Sequence, residues 1–509
     1  MTIAGISRVA VPIVAMVALV SWCGGADGSA AQTRPAANET AELRDDLKAR
    51  RARLMATLPK GTMGILWSAP PRVYSRDVDY EYRQDSDLLY LTGVEQPETI
   101  LVLVPGSRTR QEILFIRPSN ARAEHYVGHF LTVEEARAQT GIETVFLTTQ
   151  FDDFVSSMFD RRPFGLAVDT ARDDMDHEEF FRALDEGGGR LALRLESTPR
   201  FDTPVSAEYA FASRARERLI GVSIVNLAPA VHALRQVKTP YEQRVLRQSV
   251  DISAEAHIAG MKAARPDRYE FEVEAAIEQS YLAHGAMSPG YPSIVGSGPN
   301  ASTLHYTASS RQMREGDLLL VDAAASYRGQ TGDITRTYPV GGRFTPPQRE
   351  IYELVLAAQD AAMTAARVGN RTVDIERASE AVVKDGLLTL GLITDATGPQ
   401  FRTWYTHGIC HWIGMDVHDV GDYRRPLEPG MAFVIEPGLY IRREALAQLP
   451  DTPENRVFRE KVAAAVERYQ GIGVRLEDSF LLTDRELVRL SAKAPRTLKE
   501  IEDLVRTGR

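Results

Sequence analysis

The sequence predicts an α/β (α+β) protein built as two consecutive domains, and three observations carry that reading. At 509 residues the chain is longer than one ordinary core organises. Its first half alternates short apolar runs with polar, helix-prone segments, the pattern of an α/β domain. From Thr239 the pattern changes to a long proline-free helix, followed later by strands that carry carboxylates. With 44% hydrophobic and 25% charged residues, each domain can bury a sizeable core. The net charge of -9 is spread without a basic stripe, which argues against a nucleic-acid partner.

The first residues stand apart. Arg8 precedes the apolar run Val9 to Val20, and small residues follow at Gly28, Ser29, Ala30 and Ala31. This is the layout of a secretory signal over residues 1–31, cleaved near Ala31. The run falls short of the ~20 residues of a membrane span and contains Pro12, so no membrane partner is expected beyond the signal. Trp22, directly before Cys23, is a poor fit to lipid attachment there. The protein is therefore expected to be exported, periplasmic or secreted. It would then keep Cys410 and no internal disulfide, so its stability rests on its cores. Cys410 adjoins His411, but sequence neighbours are rarely a catalytic pair, and a buried small residue is the better reading.

After a polar linker over 32–41, "ETAELRDDLKARRARLMATL" spaces Leu43, Leu47, Leu54 and Leu58 among many charges and predicts an exposed amphipathic helix. Strands are expected in "GILWSA", "ILVLVPG" and "EILFIRP", separated by helix-like segments such as "TVEEARAQTG". They form an N-terminal α/β domain over 42–235. The second domain, 236–509, opens on a helix with Pro240 in its first turn. A further helix starts at the capping-box sequence Thr345-Pro346-Pro347-Gln348 and carries Ile351, Leu354, Val355, Ala358 and Ala362 at helical spacing. The polar segment Glu444 to Tyr469 is helix-prone and is expected to be an inserted surface excursion near the site.

In "LLLVDAAASYRGQTGDITRTYP" a buried strand ends at Asp322, Ser326 to Gly329 supply turn chemistry, and a second strand carries Asp333. A turn centred between Tyr327 and Arg328 would set the two aspartates directly opposite each other, with Cβ atoms ~5 Å apart. Such a pair must share a proton, as in aspartic proteases, or share a cation. Donors for a cation recur downstream: His407, His411 and His418 in "HGICHWIGMDVHD", Glu436 in "VIEPG", and Glu477 in "GIGVRLED", two residues after Arg475. Each alone has a bland explanation, as an edge glutamate or a satisfied core histidine. Together they favour the cation. The His407/His411 spacing suggests a helical zinc pair, but no glutamate follows His407, and Gly408, Gly414 and three β-branched residues weaken a helix.

In this order and in these surroundings, Asp322, Asp333, His411, Glu436 and Glu477 resemble the metal ligands of the pita-bread metallopeptidases. That superfamily includes methionine aminopeptidase, aminopeptidase P (Xaa-Pro aminopeptidase) and prolidase. The blocks "YPSIVGSGPNASTLHYT", "DAAASYRGQTGDITRTYPV", "HGICHWIGMDVHDVG", "EPGLYI" and "GIGVRLED" are most similar to aminopeptidase P. Upstream, "YEYRQDSDLLYLTGVEQPETILVLVP" resembles the creatinase/prolidase-like N-terminal domain that aminopeptidase P and prolidase share.

The resemblance implies a C-terminal pita-bread domain with two divalent metal ions. Asp322 would serve one, His411 and Glu436 the other, and Asp333 and Glu477 would bridge them. Four carboxylates and one imidazole are hard ligands, so Mn²⁺ comes first, ahead of Zn²⁺, Co²⁺ or Fe²⁺. It further implies an exopeptidase that splits the Xaa-Pro bond at the N-terminus of proline-containing peptides, by a hydroxide shared between the metals. Glu436 would carry protons, His305 and His418 would steady the tetrahedral intermediate, and His407 and Arg475 would meet the substrate, with Arg475 also backing a ligand carboxylate. Arg424 and Arg425 are candidates for contact with the substrate's far end. Prolidase, the dipeptide specialist, is the alternative activity, and a non-catalytic binding protein the alternative class. Homo-oligomerisation is left open.

Overall fold

The computed structural model describes residues 37–162, 164, 176–195 and 205–508. The expected signal over 1–31, Cys23 and residues 32–36 of the linker lie outside the described residues. Among the described residues no helix is long and apolar enough to cross a membrane.

Helix α1 (Ala37–Thr57) leads into β1 (Thr62–Trp67), the hairpin β2 (Val73–Ser75) and β3 (Val78–Asp79), and helix α2 (Ser86–Thr92). There follow β4 (Ile100–Leu103), β5 (Glu112–Ile116), α3 (Val133–Thr140), β6 (Thr144–Leu147), α4 (Phe151–Asp160), α5 (Glu178–Asp185) and β7 (Arg190–Leu193). The lobe closes with α6 (Ala207–Arg218), β8 (Ser223–Asn226) and α7 (Ala228–Arg235). Six strands make one mixed sheet in the order β6-β5-β4-β1-β7-β8. The expected strands in "GILWSA", "ILVLVPG" and "EILFIRP" are its central members. In α3 the sequence signal is explicit: Thr132 accepts from the Glu135 N–H, and Glu135 accepts back from the Thr132 N–H.

Helix α1 departs from the expectation of an exposed helix. Leu47 and Leu54 are fully buried, and so are Arg50 and Arg51 beside them. The two guanidiniums are taken up by the ends of other helices. Arg51 donates to the Leu91 carbonyl at 2.8 Å and the Thr140 carbonyl at 2.9 Å, and Arg50 donates to the Tyr90 carbonyl at 3.0 Å. These are terminal carbonyls of α2 and α3, where partial negative charge gathers and cations are welcome. The helix also reaches the second lobe. Leu43 packs on that lobe's core, Asp46 accepts from Thr239 at 3.1 Å, and Glu39 pairs with Arg328.

The second lobe opens with α8 (Pro240–Ala263), capped by the reciprocal Thr239 and Glu242 pair, and α9 (Glu270–Ala283). Its strands are β9 (Ser288–Pro289), β10 (Ile294–Ser297), β11 (Leu318–Asp322), β12 (Ala325–Tyr327), β13 (Gln330–Thr331), β14 (Thr335–Pro339), β15 (Ala432–Ile435), β16 (Gly438–Tyr440), β17 (Gly473–Arg475), β18 (Asp478–Leu482) and β19 (Leu487–Arg489). They form small sheets, β10-β11-β14, β13-β12-β9, β15-β18-β19 and β16-β17. Helices α10 (Pro346–Ala365), α11 (Thr372–Thr389), α12 (Arg443–Ala447), α13 (Pro453–Tyr469) and α14 (Leu498–Thr507) complete the lobe. At the start of α10 the Gln348 side chain accepts from the Thr345 N–H at 2.9 Å, as the capping-box sequence predicts. The excursion Glu444 to Tyr469 is less superficial than expected, because Phe458, Val462, Val466 and Tyr469 of α13 are buried in the core.

The hairpin between the aspartates also differs in register. Arg328 and Gly329 both have positive φ, 49° and 73°, so they are the central pair of the turn and Tyr327 pairs with Gln330. Two positive φ values in a two-residue loop match the right-handed twist of the strands. Asp322 therefore faces Thr335, and Asp333 lies two residues along rather than directly opposite.

His257 on α8 is fully buried and its Nε2–H donates to the Ala323 carbonyl at 2.9 Å. Burial, reinforced by Arg336, holds its pKa down to about 4. The unfolded chain titrates near 6.5, so it binds more protons between those values and stability falls as pH drops through that window. The loss approaches about 3 kcal/mol at pH 4. Urea unfolding of wild type and His257→Gln across pH 4 to 7 checks this. The variant, whatever its absolute stability, is expected to lose that part of the pH slope.

Candidate metal centre

Five polar side chains converge where the small sheets meet. Asp322 ends β11, Asp333 sits in the link from β13 to β14, Glu436 follows β15, and Glu477 lies between β17 and β18. His411 comes from an irregular segment laid along β15, where the His411 carbonyl accepts from the Val434 N–H and Glu436 N–H donates to the Ile409 carbonyl. That segment is not helical, which disposes of the helical zinc pair.

The orientation of Glu477 follows from strand alternation, which sends neighbours to opposite faces. Asp478 turns away and is captured by Arg336 at 2.7 Å, both groups fully buried. Arg336 donates besides to the carbonyls of Glu477 and Ala494. Glu477 turns inward, and the Thr335 hydroxyl donates to its Oε2 at 2.7 Å.

Its other oxygen, Oε1, is buried with no hydrogen-bond partner. His411 Nε2 lies 3.8 Å from that oxygen, 3.6 Å from Asp333 and 3.4 Å from Glu436. His411 Nδ1 is 3.1 Å from the Trp412 carbonyl, which fixes the proton on Nδ1 and leaves the Nε2 lone pair facing three carboxylates. Tyr291 repeats the theme: its hydroxyl is 2.7 Å from Asp322 and 2.5 Å from Asp333. One phenolic proton can serve only one of them at a time.

The electrostatics agree. Burial and then Glu477 and Asp322 push the Asp333 carboxyl well above its ordinary range, and burial with Glu477 does the same to Glu436. Glu477 is pushed up to about 8 by burial and by Asp322. Burial, with His418 beside it, lowers His411 to about 4, so its imidazole is neutral near pH 7. Acids crowded around an aimed lone pair call for cations, and Asp333, His411 and Glu477 can each offer an atom within 4.8 Å of the others. The residues fit a metal site.

Around this cluster, His418 meets His411 edge-on with ring centroids 4.3 Å apart, and it is itself exposed. His305 is exposed and close enough to depress both His407 and His418. His407 Nδ1 is bonded to the Gly408 carbonyl and Nε2 to the Tyr440 hydroxyl at 2.9 Å. Gly438 is needed beside them, since a Cβ there would come within 2.5 Å of the Tyr440 oxygen and 3.0 Å of His407 Nε2. Of the two places expected of Arg475, the structure shows the one behind a carboxylate and not the one at the substrate: it is buried and spends its donors on Asp322 at 2.5 Å, Thr335 at 3.1 Å and Tyr440 at 2.8 Å. Arg424 and Arg425 are engaged by Asp422 and Glu428. Cys410 is buried in the core, and burial pushes its thiol well up, which rules out a ready nucleophile.

Sequence reasoning passed over Tyr291 and Tyr440, although both stand inside the motif blocks. It also passed over the ion-pair cluster that holds the His418 segment. Arg235 of α7 bonds Asp87 at 2.7 Å, Asp416 at 2.8 Å and Asp419 at 2.5 Å, and Lys238 bonds Asp419 at 2.6 Å. Asp416 and Asp419 flank His418, so the first lobe grips the loop that carries it.

Comparison with known proteins decides the family. Residues 244–484 match Metallopeptidase family M24, and residues 47–165 match the aminopeptidase P N-terminal domain. The chain is 33% identical over 478 residues to the Xaa-Pro aminopeptidase of Escherichia coli, covering 92% of this chain and 98% of that protein. The chain belongs to the aminopeptidase P group of metallopeptidase family M24. Among solved structures, this M24 peptidase matches aminopeptidase P from E. coli with the inhibitor Pro-Leu at a TM-score of 0.77 and 31% identity, over 91% of this chain and 98% of that one. A Pseudomonas aeruginosa aminopeptidase matches at a TM-score of 0.76 and 33% identity, over the same shares. The second lobe thus has the pita-bread fold, behind the N-terminal domain shared with these relatives.

Proposed function

We propose that the chain is a metal-dependent exopeptidase that releases the N-terminal residue from peptides with proline in second place. The observation that carries the chemistry is the neutral His411 Nε2 aimed at the carboxylates of Asp333, Glu436 and Glu477. The substrate class is supported by likeness to Xaa-Pro aminopeptidases along nearly their whole length. That likeness favours the aminopeptidase over prolidase, and the complete donor set disfavours a non-catalytic binding role.

In this reading Asp322, Asp333, His411, Glu436 and Glu477 would hold two divalent ions. Hard oxygen donors put Mn²⁺ first. When bound, the ions supply Lewis-acid polarisation of the scissile carbonyl and a water acidified to near neutrality. Glu436 takes the proton from the attacking water and delivers it to the proline nitrogen as it leaves. His305 and His418, exposed at the mouth, donate to the carbonyl oxygen as it gains charge, a contribution of ~3 kcal/mol. Arg475 orders Tyr440, and Tyr440 orders His407, whose ring then walls the space for the pyrrolidine. That shape matters because proline offers no N–H for an ordinary peptidase to grip. The signal-like residues 1–31 support export to the periplasm or medium as part of the same proposal.

The test is to assay the metal-loaded protein on Xaa-Pro dipeptides and on longer Xaa-Pro-Yaa peptides. Turnover of the longer peptides is expected. Turnover confined to dipeptides would move the assignment to prolidase, and bound metal without turnover would favour the non-catalytic reading.

A further inference from the structure

Beyond β16 the chain leaves the catalytic sheets through Arg442, forms α12 and α13, and returns at β17. This excursion and the turn Pro399–Thr403 enclose a cavity of about 450 Å³. Its wall includes Arg402, Thr403, Thr406, Arg442, Gln448 and Asn455, and no acidic side chain lines it. Arg402 is neutralised by Glu380. Arg442 is not neutralised: among the described residues its guanidinium has no hydrogen bond or ion pair, and its Nε is buried without a partner. The cavity wall thus carries a guanidinium without a counter-charge, and an anion placed in the cavity would supply one.

The position of the cavity relates it to the metal centre. Thr406 precedes His407, and Arg442 stands two residues past Tyr440, the partner of His407. Arg442 is extended, with φ -129° and ψ 129°, so the strand alternation continues and Gly438, Tyr440 and Arg442 share one face. Two residues of strand span ~7 Å. A peptide that lays its proline ring against His407 and runs along this face would reach Arg442 with a residue about two places further on, at the same rise per residue.

We infer that this cavity is a subsite for a carboxylate on the leaving side of the peptide, either the C-terminal carboxylate of a short peptide or an acidic side chain, bound by Arg442. The inference rests on the Xaa-Pro reading for the direction in which the peptide runs. It adds to that reading a preference for anionic or short peptides, set by the excursion rather than by the metal centre. The planar guanidinium fork suits a carboxylate in two-point contact.

Product peptides test it without needing turnover. Calorimetric titration of the metal-loaded protein with Pro-Ala-Ala as free acid, Pro-Ala-Ala amide and Pro-Ala-Asp amide separates the sources of the carboxylate. The free acid, the aspartyl peptide or both are expected to bind roughly tenfold more tightly than the plain amide. In Arg442→Gln that gap is expected to close, and in Arg442→Lys to persist in part. Equal binding of all three peptides by wild type, or a gap that survives Arg442→Gln, would overturn the subsite. Turnover of Ala-Pro-Ala-Ala amide, measured separately, reports on the peptidase reading alone.

Discussion

Asp333→Ala is expected to release metal and to abolish turnover, with a loss on the order of 10³-fold or more in kcat/KM. Asp333 is the carboxylate that touches both halves of the site: Tyr291 ties it to Asp322, and His411 ties it to Glu436 and Glu477. A second readout separates this from simple misfolding. In the metal-free protein the acids repel one another, and Glu477 carries a folded pKa near 8 against an ordinary 4.5. The folded state then binds more protons than the unfolded one across that window, so metal-free stability falls as pH rises from about 4.5 through 8. Scanning calorimetry in chelator is therefore expected to show a lower Tm at pH 8 than at pH 6 for wild type. The Asp333→Ala protein, with one acid fewer, should show a smaller decline. A variant that keeps its metal and its activity would sink the site assignment.

Arg235→Ala is expected to cost roughly 3 kcal/mol, because it leaves the buried Asp87 with His232 alone and the buried Asp419 with Lys238 alone, and frees Asp416. Burial alone would raise Asp87, but His232 and Arg235 more than offset it and hold it down to about 2. Its contribution is present above the unfolded value near 3.8 and is lost as pH falls through 2. Because the variant has less of that contribution to lose, its denaturant midpoint should drop less than that of wild type between pH 7 and pH 3. Because Asp416 and Asp419 bracket His418, kcat should also fall by ~10-fold while metal content stays unchanged. An undiminished kcat at full metal loading would show that the grip on the His418 loop is structural only.

Much of the site was legible because its donors sit at strand ends: the apolar runs from Leu318 to Asp322 and from Ala432 to Glu436 each stop on a carboxylate, and so does the alternating strand from Gly473 to Glu477. Strand boundaries and acid positions are both local in sequence. The exact hairpin register was not, since it turned on which pair of residues accepted positive φ, and Arg328 gives no sign of doing so until Gly329 is seen beside it in the turn. The inward Tyr291 and Tyr440 were hidden for another reason. A tyrosine in a motif reads equally as core, and only its distance to a carboxylate or an imidazole tells the two apart. Arg50, Arg51 and Arg235 were misread or missed because charge suggests solvent, whereas their partners are carbonyls and acids far away along the chain. Arg475 was read as backing a carboxylate, and Asp322 is the one it takes, but the substrate contact also expected of it was not legible, because alternation says which face a residue takes and not what waits there.

Helix α1 has a consequence for biogenesis. Its Glu39 is joined to Arg328 across 289 residues, and its Asp46 to Thr239 across 193. At a synthesis rate of ~5 to 20 residues per second, Arg328 leaves the ribosome roughly 15 to 60 seconds after Glu39. Throughout that interval the outer face of the helix, Leu43 included, has no surface to close on. The face of α1 that meets the second lobe is thus fastened late, whereas Arg50 and Arg51 can seat its other face on α2 and α3 as soon as those helices have emerged.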